Sequence, residues 1–228
     1  MTHVLPALAL LFVLNGTFAQ AATLPATNDS ASREVPPAPE EGGPRNWRVA
    51  TLTGSLNLRA SPSTTATILA RYAPNTLLDN LGCLAAEGRA WCDVQALGGG
   101  PRGYVAAEFL QPARAPHGAI SRGPDDSAQR AGNGDFDATG RLRCHRAGAP
   151  GDWCAFGVAR SGGGYATVVV ETLDGRSQGI YFRMGRAIGT ATSQVYHPEF
   201  RAEREGDTTV IYLDNDRYEI PDAIVLGG

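Results

Sequence analysis

The four cysteines of the chain form two close pairs along the sequence, and this spacing limits the possible folds more than any other feature. Cys83 and Cys92 are nine positions apart, and Cys144 and Cys154 are ten positions apart. Zinc sites usually bring paired ligands within about four residues of each other, and redox pairs have the Cys-x-x-Cys spacing. Neither pattern occurs, so we predict no metal site, no catalytic thiol and no cofactor.

An even number of cysteines is typical of disulfides formed in an oxidising compartment. Four cysteines allow three connectivities, of which we favour local pairing, Cys83–Cys92 and Cys144–Cys154. The segments TLLDNLGC and RAWCDVQA are typical of antiparallel strands, in which opposed α-carbons lie about 4.5–5.5 Å apart. Closing such a loop stabilises a small module by roughly 2–3 kcal/mol. Modules of this size need that support because they bury little apolar surface.

The N-terminus, residues 1–21, is typical of a secretory signal peptide. An apolar run extends from Val4 to Leu14, which is too short to span a bilayer, and Ala19-Gln20-Ala21 fits a small-x-small cleavage site. The leader contains no Lys or Arg, and the alternative is a buried apolar segment. We expect a mature chain that begins at Ala22, lies in the periplasm or outside the cell, and has no integral membrane segment.

Composition divides the rest of the chain into two modules and two linkers. Residues 22–45 are rich in Pro, Ser and Glu, which predicts a disordered linker, and the sequence of residues 113–134 is typical of a second linker. Residues 46–112 and 135–228 show short alternating apolar runs, typical of strands. The net charge is −3 without a basic stripe, so nucleic acid is not an expected partner.

The first module contains five short strands punctuated by Gly and Pro, a pattern that favours a small barrel. Leu56 and Leu58 alternate with Asn57 and Arg59, so the leucines are expected in the core. The run LNLRASPS, a later Trp-x-x-Val and the closing Gly103-Tyr104-Val105 resemble the bacterial SH3-like (SH3b) domain. The resemblance implies a non-catalytic module of an envelope protein. It also implies a binding role, since some members of that family bind peptidoglycan or peptides.

Five residues of this module are candidates for binding a sugar or peptide. The aromatic candidates offer ring faces and the polar ones offer hydrogen bonds to a carboxylate or amide; the candidates are Asn57, Arg59, Tyr72, Trp91 and Tyr104. Each also has a structural interpretation. Trp91 lies beside a cysteine in a predicted strand and fits a core position, and Arg59 fits a role in pinning the loop after its strand.

The sequence of the second module predicts another antiparallel sheet. FGVAR pairs with YATVVV, Asp174-Gly175 signals a hairpin, and FRAERE, TTVIYL and RYEI form a later meander. The Cys-rich start, the FGVAR and DGR segments and the closing RYEIPDAIVLGG resemble a C-terminal module of secreted proteobacterial proteins. That resemblance implies domain boundaries and no activity. The predicted fold class is therefore all-β, with an SH3-like barrel and a second β module joined by flexible linkers.

Weaker motifs have simpler explanations. Ser161-Gly162-Gly163-Gly164 precedes a strand rather than a helix, so we interpret it as a hairpin turn and not a phosphate loop. Asp214-Asn215-Asp216 lacks the glycine and the final carboxylate of a calcium loop and fits a tight turn, with a weak surface calcium site as the alternative. The remaining candidates for hydrolytic chemistry are scattered: His117, His145, His197, Glu203, Glu205, Glu219 and Asp222.

These features favour an exported binding or anchoring protein whose barrel contacts cell-wall glycan or peptide, or an envelope protein. We expect no enzymatic activity. Two alternatives stay open: a wall hydrolase with a catalytic C-terminal module and the barrel as targeting domain, and a regulator or inhibitor of a periplasmic protein. The oligomeric state is not specified by the sequence.

Mass spectrometry of the exported protein without reductant tests both processing and crosslinking. We expect an N-terminus at Ala22 and no free thiols, because the leader is removed and each cysteine pair is oxidised. Recovery of the uncleaved leader, or alkylation of the native cysteines, would contradict this expectation.

Overall fold

The structure is a computed structural model that describes Met1 and residues 34–50, 53–146, 151–172, 175–193 and 197–227. Residues 2–21 of the predicted signal peptide and residues 22–33 of the predicted linker lie outside the described residues. From residue 34 onward, the described chain belongs to one compact unit. It contains two antiparallel sheets, which confirms the predicted all-β class with an SH3-like module and a second β module.

The first sheet has seven strands in the order β3-β2-β6-β5-β4-β1-β7. Leu56 and Leu58 are buried while Asn57 and Arg59 are half-buried, so the predicted alternation is confirmed. A short 3-10 helix, Ala107–Phe109, precedes the last strand. The strands are β1 (Asn46–Val49), β2 (Leu56–Arg59), β3 (Ile68–Tyr72), β4 (Leu77–Ala86), β5 (Arg89–Ala96), β6 (Arg102–Ala106) and β7 (Leu110–Pro112).

A disulfide joins Cys83 to Cys92 across β4 and β5, as predicted. The two residues are directly opposed in the strand register, and their α-carbons are 4.0 Å apart. Gly103 on β6 permits a close approach of β2, because a side chain there would meet the carbonyl oxygen of Arg59 at 2.4 Å. The Gly in the Gly-Tyr-Val sequence is therefore required by packing between neighbouring strands.

The second sheet has eight strands in the order β12-β11-β10-β9-β8-β15-β14-β13. The hairpins predicted from FGVAR/YATVVV and from TTVIYL/RYEI both form. Two short helices accompany this sheet, α1 (Ser127–Gly132) and α2 (Asp222–Leu226). The strands are β8 (Ala138–Arg146), β9 (Asp152–Gly162), β10 (Tyr165–Glu171), β11 (Ser177–Arg183), β12 (Arg186–Thr190), β13 (Phe200–Glu205), β14 (Thr208–Leu213) and β15 (Asp216–Pro221).

The core of the second sheet is built from the inward residues of its central strands. Ile180 and Phe182 are buried and alternate with the half-buried Tyr181 and Arg183, as the sequence predicts. The second predicted disulfide, Cys144–Cys154, is present within this core. Cys154 is opposite Leu142 in the register, so this bridge runs diagonally between β8 and β9.

The connection between the sheets, residues 113–134, differs from the bare flexible linker that its composition predicts. It contains α1, whose Ser127 shares a 3.1 Å hydrogen bond with Thr167 on β10. Ala113 and Ala115 are buried as well. Small side chains allow this backbone to lie close against the sheets, and composition alone does not distinguish such packing from flexibility.

Arg45, inside the segment predicted to be disordered, is buried at the junction of the two sheets, with 8% of its surface exposed. Its guanidinium donates hydrogen bonds to the carbonyl oxygens of Gly123, Pro124 and Ser161 and to the Ser161 hydroxyl, over 2.6–2.9 Å. It also lies 4.8 Å from the centre of the Tyr165 ring, a cation–π contact. Arg45 thus links the chain before β1 to β9 and β10.

A buried polar chain continues this junction. The Tyr165 hydroxyl donates to Asn46 Oδ1 at 2.6 Å, Asn46 Nδ2 donates to Asp79 Oδ1 at 3.0 Å, and Arg183 Nη1 donates to Asp79 Oδ2 at 2.8 Å. Burial raises the pKa of Asp79, opposed by the charge of Arg183, and burial raises the pKa of Tyr165. Because Tyr165 and Arg183 belong to the second sheet, the network ties the two sheets together.

The turn Gly162-Gly163-Gly164 between β9 and β10 also lies at the junction. Gly163 has φ +66°, and a Cβ there would lie 1.6 Å from Ser121 Oγ. A Cβ on Gly164 would lie 2.3 Å from the backbone nitrogen of Gly185. The predicted hairpin turn is confirmed. Gly163 and Gly164 are required by close contacts with the connection and with the turn after β11.

Alanine substitutions at two adjacent glycines test this junction. Gly162 has φ +76° with open space around it, so Gly162→Ala should cost only the left-handed strain of about 1–2 kcal/mol. Gly163→Ala adds a clash with Ser121 and should cost clearly more, as measured by urea denaturation. Equal losses in the two variants would contradict a tightly packed junction.

Removing one hydroxyl tests the polar chain. Tyr165→Phe leaves the buried Asn46 Oδ1 without its donor and should lower the free energy of unfolding by about 1–3 kcal/mol. Tyr181→Phe is the matched control, because no described residue accepts a hydrogen bond from its hydroxyl and the ring is half-buried. The same urea denaturation should show little change for Tyr181→Phe, and an equally small effect at Tyr165 would refute the assigned role.

Candidate functional site

The outer side of β2, β3 and β6 brings three of the predicted binding residues together. Asn57 and Arg59 point away from the core on β2, because the intervening Leu58 is fully buried. Tyr104 is directly opposite Arg59 in the β2–β6 pairing and lies between the buried Gly103 and Val105. Directly opposed side chains on one face of a sheet are close enough to contact a common ligand.

Arg71 on β3 joins this group, although it was not among the predicted site residues. It is opposite Asn57 in the β2–β3 pairing and is exposed, and no described residue pairs with its guanidinium. We call this surface the Arg59 face; it consists of Asn57, Arg59, Arg71 and Tyr104. The alternation of TILARYA could have revealed Arg71. This residue is next to the buried Tyr72 and two positions from Leu69, so it falls on the outer side of β3.

The electrostatics of the Arg59 face are positive. Asp93 is the register partner of Tyr104 on β5, but Arg102 engages both of its carboxylate oxygens at 2.6–3.1 Å. Asp93 is therefore neutralised by Arg102, and the charges of Arg59 and Arg71 are left uncompensated. Such a surface favours ligands with carboxylates, for which guanidinium groups are suited donors.

Arg59 has a structural role as well as a place on this face. Its Nη1 donates to the carbonyl oxygen of Ala66 at 2.8 Å and so pins the loop between β2 and β3, one of the two roles predicted for it. The same loop reaches the β4–β5 turn, where the Thr64 amide donates to Glu87 at 3.2 Å. Hydrogen bonds from Ser63 and Thr64 lower the pKa of Glu87. The loop edge of the face is therefore held by specific bonds.

The other two predicted binding residues lie in the interior. Tyr72 packs in the core of the first sheet with 9% of its surface exposed, and burial raises the pKa of its hydroxyl. Trp91 is 2% exposed, as its alternative core interpretation predicts, and Arg89 lies 5.8 Å from its ring centre. Neither ring offers a face to a ligand in this conformation. The register places Tyr72 opposite the buried Leu56, and Trp91 is itself buried.

The acidic candidates for hydrolysis form ion pairs with arginines rather than a free carboxylate pair. Glu203 pairs with Arg201, Asp222 pairs with Arg204, and Arg217 bridges Glu205 and Glu219. These contacts link β13, β15 and α2 on the surface of the second sheet. Among the histidines, His117 and His197 are exposed and His145 is half-buried.

The Asp214-Asn215-Asp216 segment forms the predicted tight turn between β14 and β15. Asp214 Oδ1 accepts a 2.8 Å hydrogen bond from the Glu199 amide, and Asp216 pairs with Arg146. Within the described ranges, no group of three or more His, Cys, Asp or Glu side chains is arranged to hold a metal ion. Likewise, none of the described helices has the length and apolar character needed to cross a membrane.

Comparison with known proteins supports the assignment of the first sheet. The family described as bacterial SH3 domain matches residues 54–111, a range that contains β2 to β6. No curated protein and no solved structure is detectably similar to the chain. β1 lies before the matched range, yet it pairs with β4 and β7 and contributes Trp47 and Val49 to the same core. Residues 54–111 are therefore similar to a bacterial SH3 domain, and all four residues of the Arg59 face lie within that range.

Proposed function

We propose that the chain is an exported binding protein whose SH3 domain anchors it to peptidoglycan through the Arg59 face. In this proposal residues 46–112 and 135–228 are the two modules and residues 113–134 connect them. The bacterial SH3 domain supports a binding or wall-targeting role in general. The two disulfides support a location in an oxidising compartment outside the cytoplasm.

The observation that carries the proposal is the uncompensated positive charge beside the half-buried ring of Tyr104. Arg71 has no described partner, and Arg59 uses only one of its guanidinium nitrogens within the domain. The peptide stems of peptidoglycan end in carboxylates and contain amide groups. Guanidinium groups bind such carboxylates, the Asn57 amide matches the peptide groups, and Tyr104 adds contact area.

The position of the face on neighbouring strands suits an anchoring role. Its side chains come from β2 and from β3 and β6, which pair with β2 on either side, so the sheet backbone holds them at fixed spacing. Preorganised side chains lose little conformational entropy when a ligand binds. The proposed interaction is driven by charge and should therefore weaken as the salt concentration rises.

Sedimentation with purified sacculi tests the proposal on the full mature chain. Arg71→Gln removes a charge without removing a bond inside the domain, so the affinity should fall about tenfold, equivalent to about 1.4 kcal/mol, with stability unchanged. Arg59→Gln should weaken binding and also lower stability, because the bond to Ala66 is lost.

Arg186→Gln is the matched control, since Arg186 is an exposed arginine on β12 of the second sheet without a described partner. It changes the net charge equally and should sediment like the unmodified protein. Complete recovery of the unmodified chain in the supernatant would refute wall binding. Equal losses for Arg71→Gln and Arg186→Gln would show that net charge, rather than the Arg59 face, governs the interaction.

A further inference from the structure

The outer side of the second sheet carries a groove that no part of the described chain fills. Two adjoining cavities of about 490 and 570 Å³ lie on this side, and both are lined by Arg141, Ala155 and Glu171. Because they share these residues, the cavities form one continuous depression across β8, β9 and β10. We call it the β9 groove.

Small residues form the floor of the β9 groove. Ala155 and Gly157 point outward on β9, where they alternate with the core residues Cys154 and Val158. A Cβ on Gly157 would lie 2.6 Å from the ring of Phe136, so this ring rests directly over the glycine. The floor is therefore open at Ala155 and bounded at one end by an aromatic side chain.

Trp153 bounds the other end. It is 49% exposed, whereas the two remaining tryptophans, Trp47 and Trp91, are 4% and 2% exposed. The guanidinium of Arg143 lies 5.1 Å from its ring centre, and Arg141 Nη2 donates to its carbonyl oxygen at 2.7 Å. The ring is thus supported by its neighbours while half of it faces solvent, an arrangement suited to stacking with a ligand.

The length of the groove matches an oligosaccharide better than a single small molecule. Trp153 and Gly157 are four positions apart on one strand, which corresponds to about 13 Å at roughly 3.3 Å per residue. An extended chain of linked rings can contact the aromatic groups at both ends while lying on the small residues between them. Ring stacking on the outer tryptophan and hydrogen bonds at the sides would then act together.

The charges along the groove select among extended ligands. Arg141 lies beside Ala155 on one side. Glu171 lies on the other side, directly after Val170, which pairs with Phe156. A polyanion would meet the carboxylate of Glu171, which no described residue neutralises, and a basic peptide would meet Arg141 and Arg143. An uncharged chain with hydroxyl and amide groups can use both the donors and the acceptor.

We propose that the β9 groove binds a linear glycan of uncharged N-acetylated amino sugars, with one sugar ring stacked on Trp153. This site is on the opposite module from the Arg59 face and does not depend on it. A soluble oligosaccharide without peptide stems therefore tests the groove alone, and its failure would leave the proposed role of the SH3 domain unaffected.

The first experiment uses the intrinsic fluorescence of the full mature chain and the probe tetra-N-acetylchitotetraose. Trp153 is the exposed tryptophan, so acrylamide should quench it selectively, and the probe should reduce that quenching and shift the emission to shorter wavelength. The α-linked glucose tetramer isomaltotetraose should have no such effect. An unchanged spectrum at saturating millimolar chitotetraose would overturn the proposal.

Variants then localise the site by calorimetric titration with the same probe. Trp153→Ala should weaken binding at least about fivefold through the loss of stacking, and Ala155→Leu should do the same by filling the floor. Leu84→Ala removes a comparably exposed apolar side chain from the other sheet and should bind like the unmodified chain. If Trp153→Ala does not fold, Ala155→Leu decides; unchanged affinity in Ala155→Leu would overturn the proposal.

Discussion

The relative placement of the two sheets depends on how the buried charge of Arg45 is satisfied. Its guanidinium reaches four oxygen acceptors on the connection and on β9, and it lies over the ring of Tyr165. Burying an ionised group without such partners would cost several kcal/mol. The position of Arg45 therefore requires the connection and the second sheet to lie where they do, and the polar chain through Asn46 and Asp79 adds a second constraint.

This junction changes how the stability of each module is understood. Each sheet has its own disulfide, because a sheet of this size buries little apolar surface by itself. The junction adds a further apolar cluster in which Leu77 and Leu97 from the first sheet meet Tyr165 and Met184 from the second. Stability is consequently shared across the chain, and the Arg59 face and the β9 groove are carried on one compact unit.

Two exposed surfaces of different chemistry follow from this arrangement. The Arg59 face is cationic, because Asp93 is already paired with Arg102. The β9 groove is nearly balanced in charge and offers an aromatic ring over small residues. Under the two proposals, the Arg59 face contacts carboxylate-bearing peptides and the β9 groove contacts uncharged sugars, and both can belong to one polymer. Neither surface relies on a titrating acid or a metal ion for this interaction.

The sequence alone determined the features that depend on near neighbours. Strand alternation placed Leu56 and Leu58 in the core, and cysteine spacing predicted both disulfides, because opposed strand residues and short loops obey local geometry. The SH3 resemblance likewise follows from motifs in order along the chain. Only the tertiary structure decided that β2, β3 and β6 bring Arg71 and Tyr104 to the same face as Arg59, that Tyr72 is buried, and that Arg45 links the sheets. Those outcomes depend on strand order and on contacts between residues distant in sequence, such as Arg45 with Ser161, which no local pattern encodes.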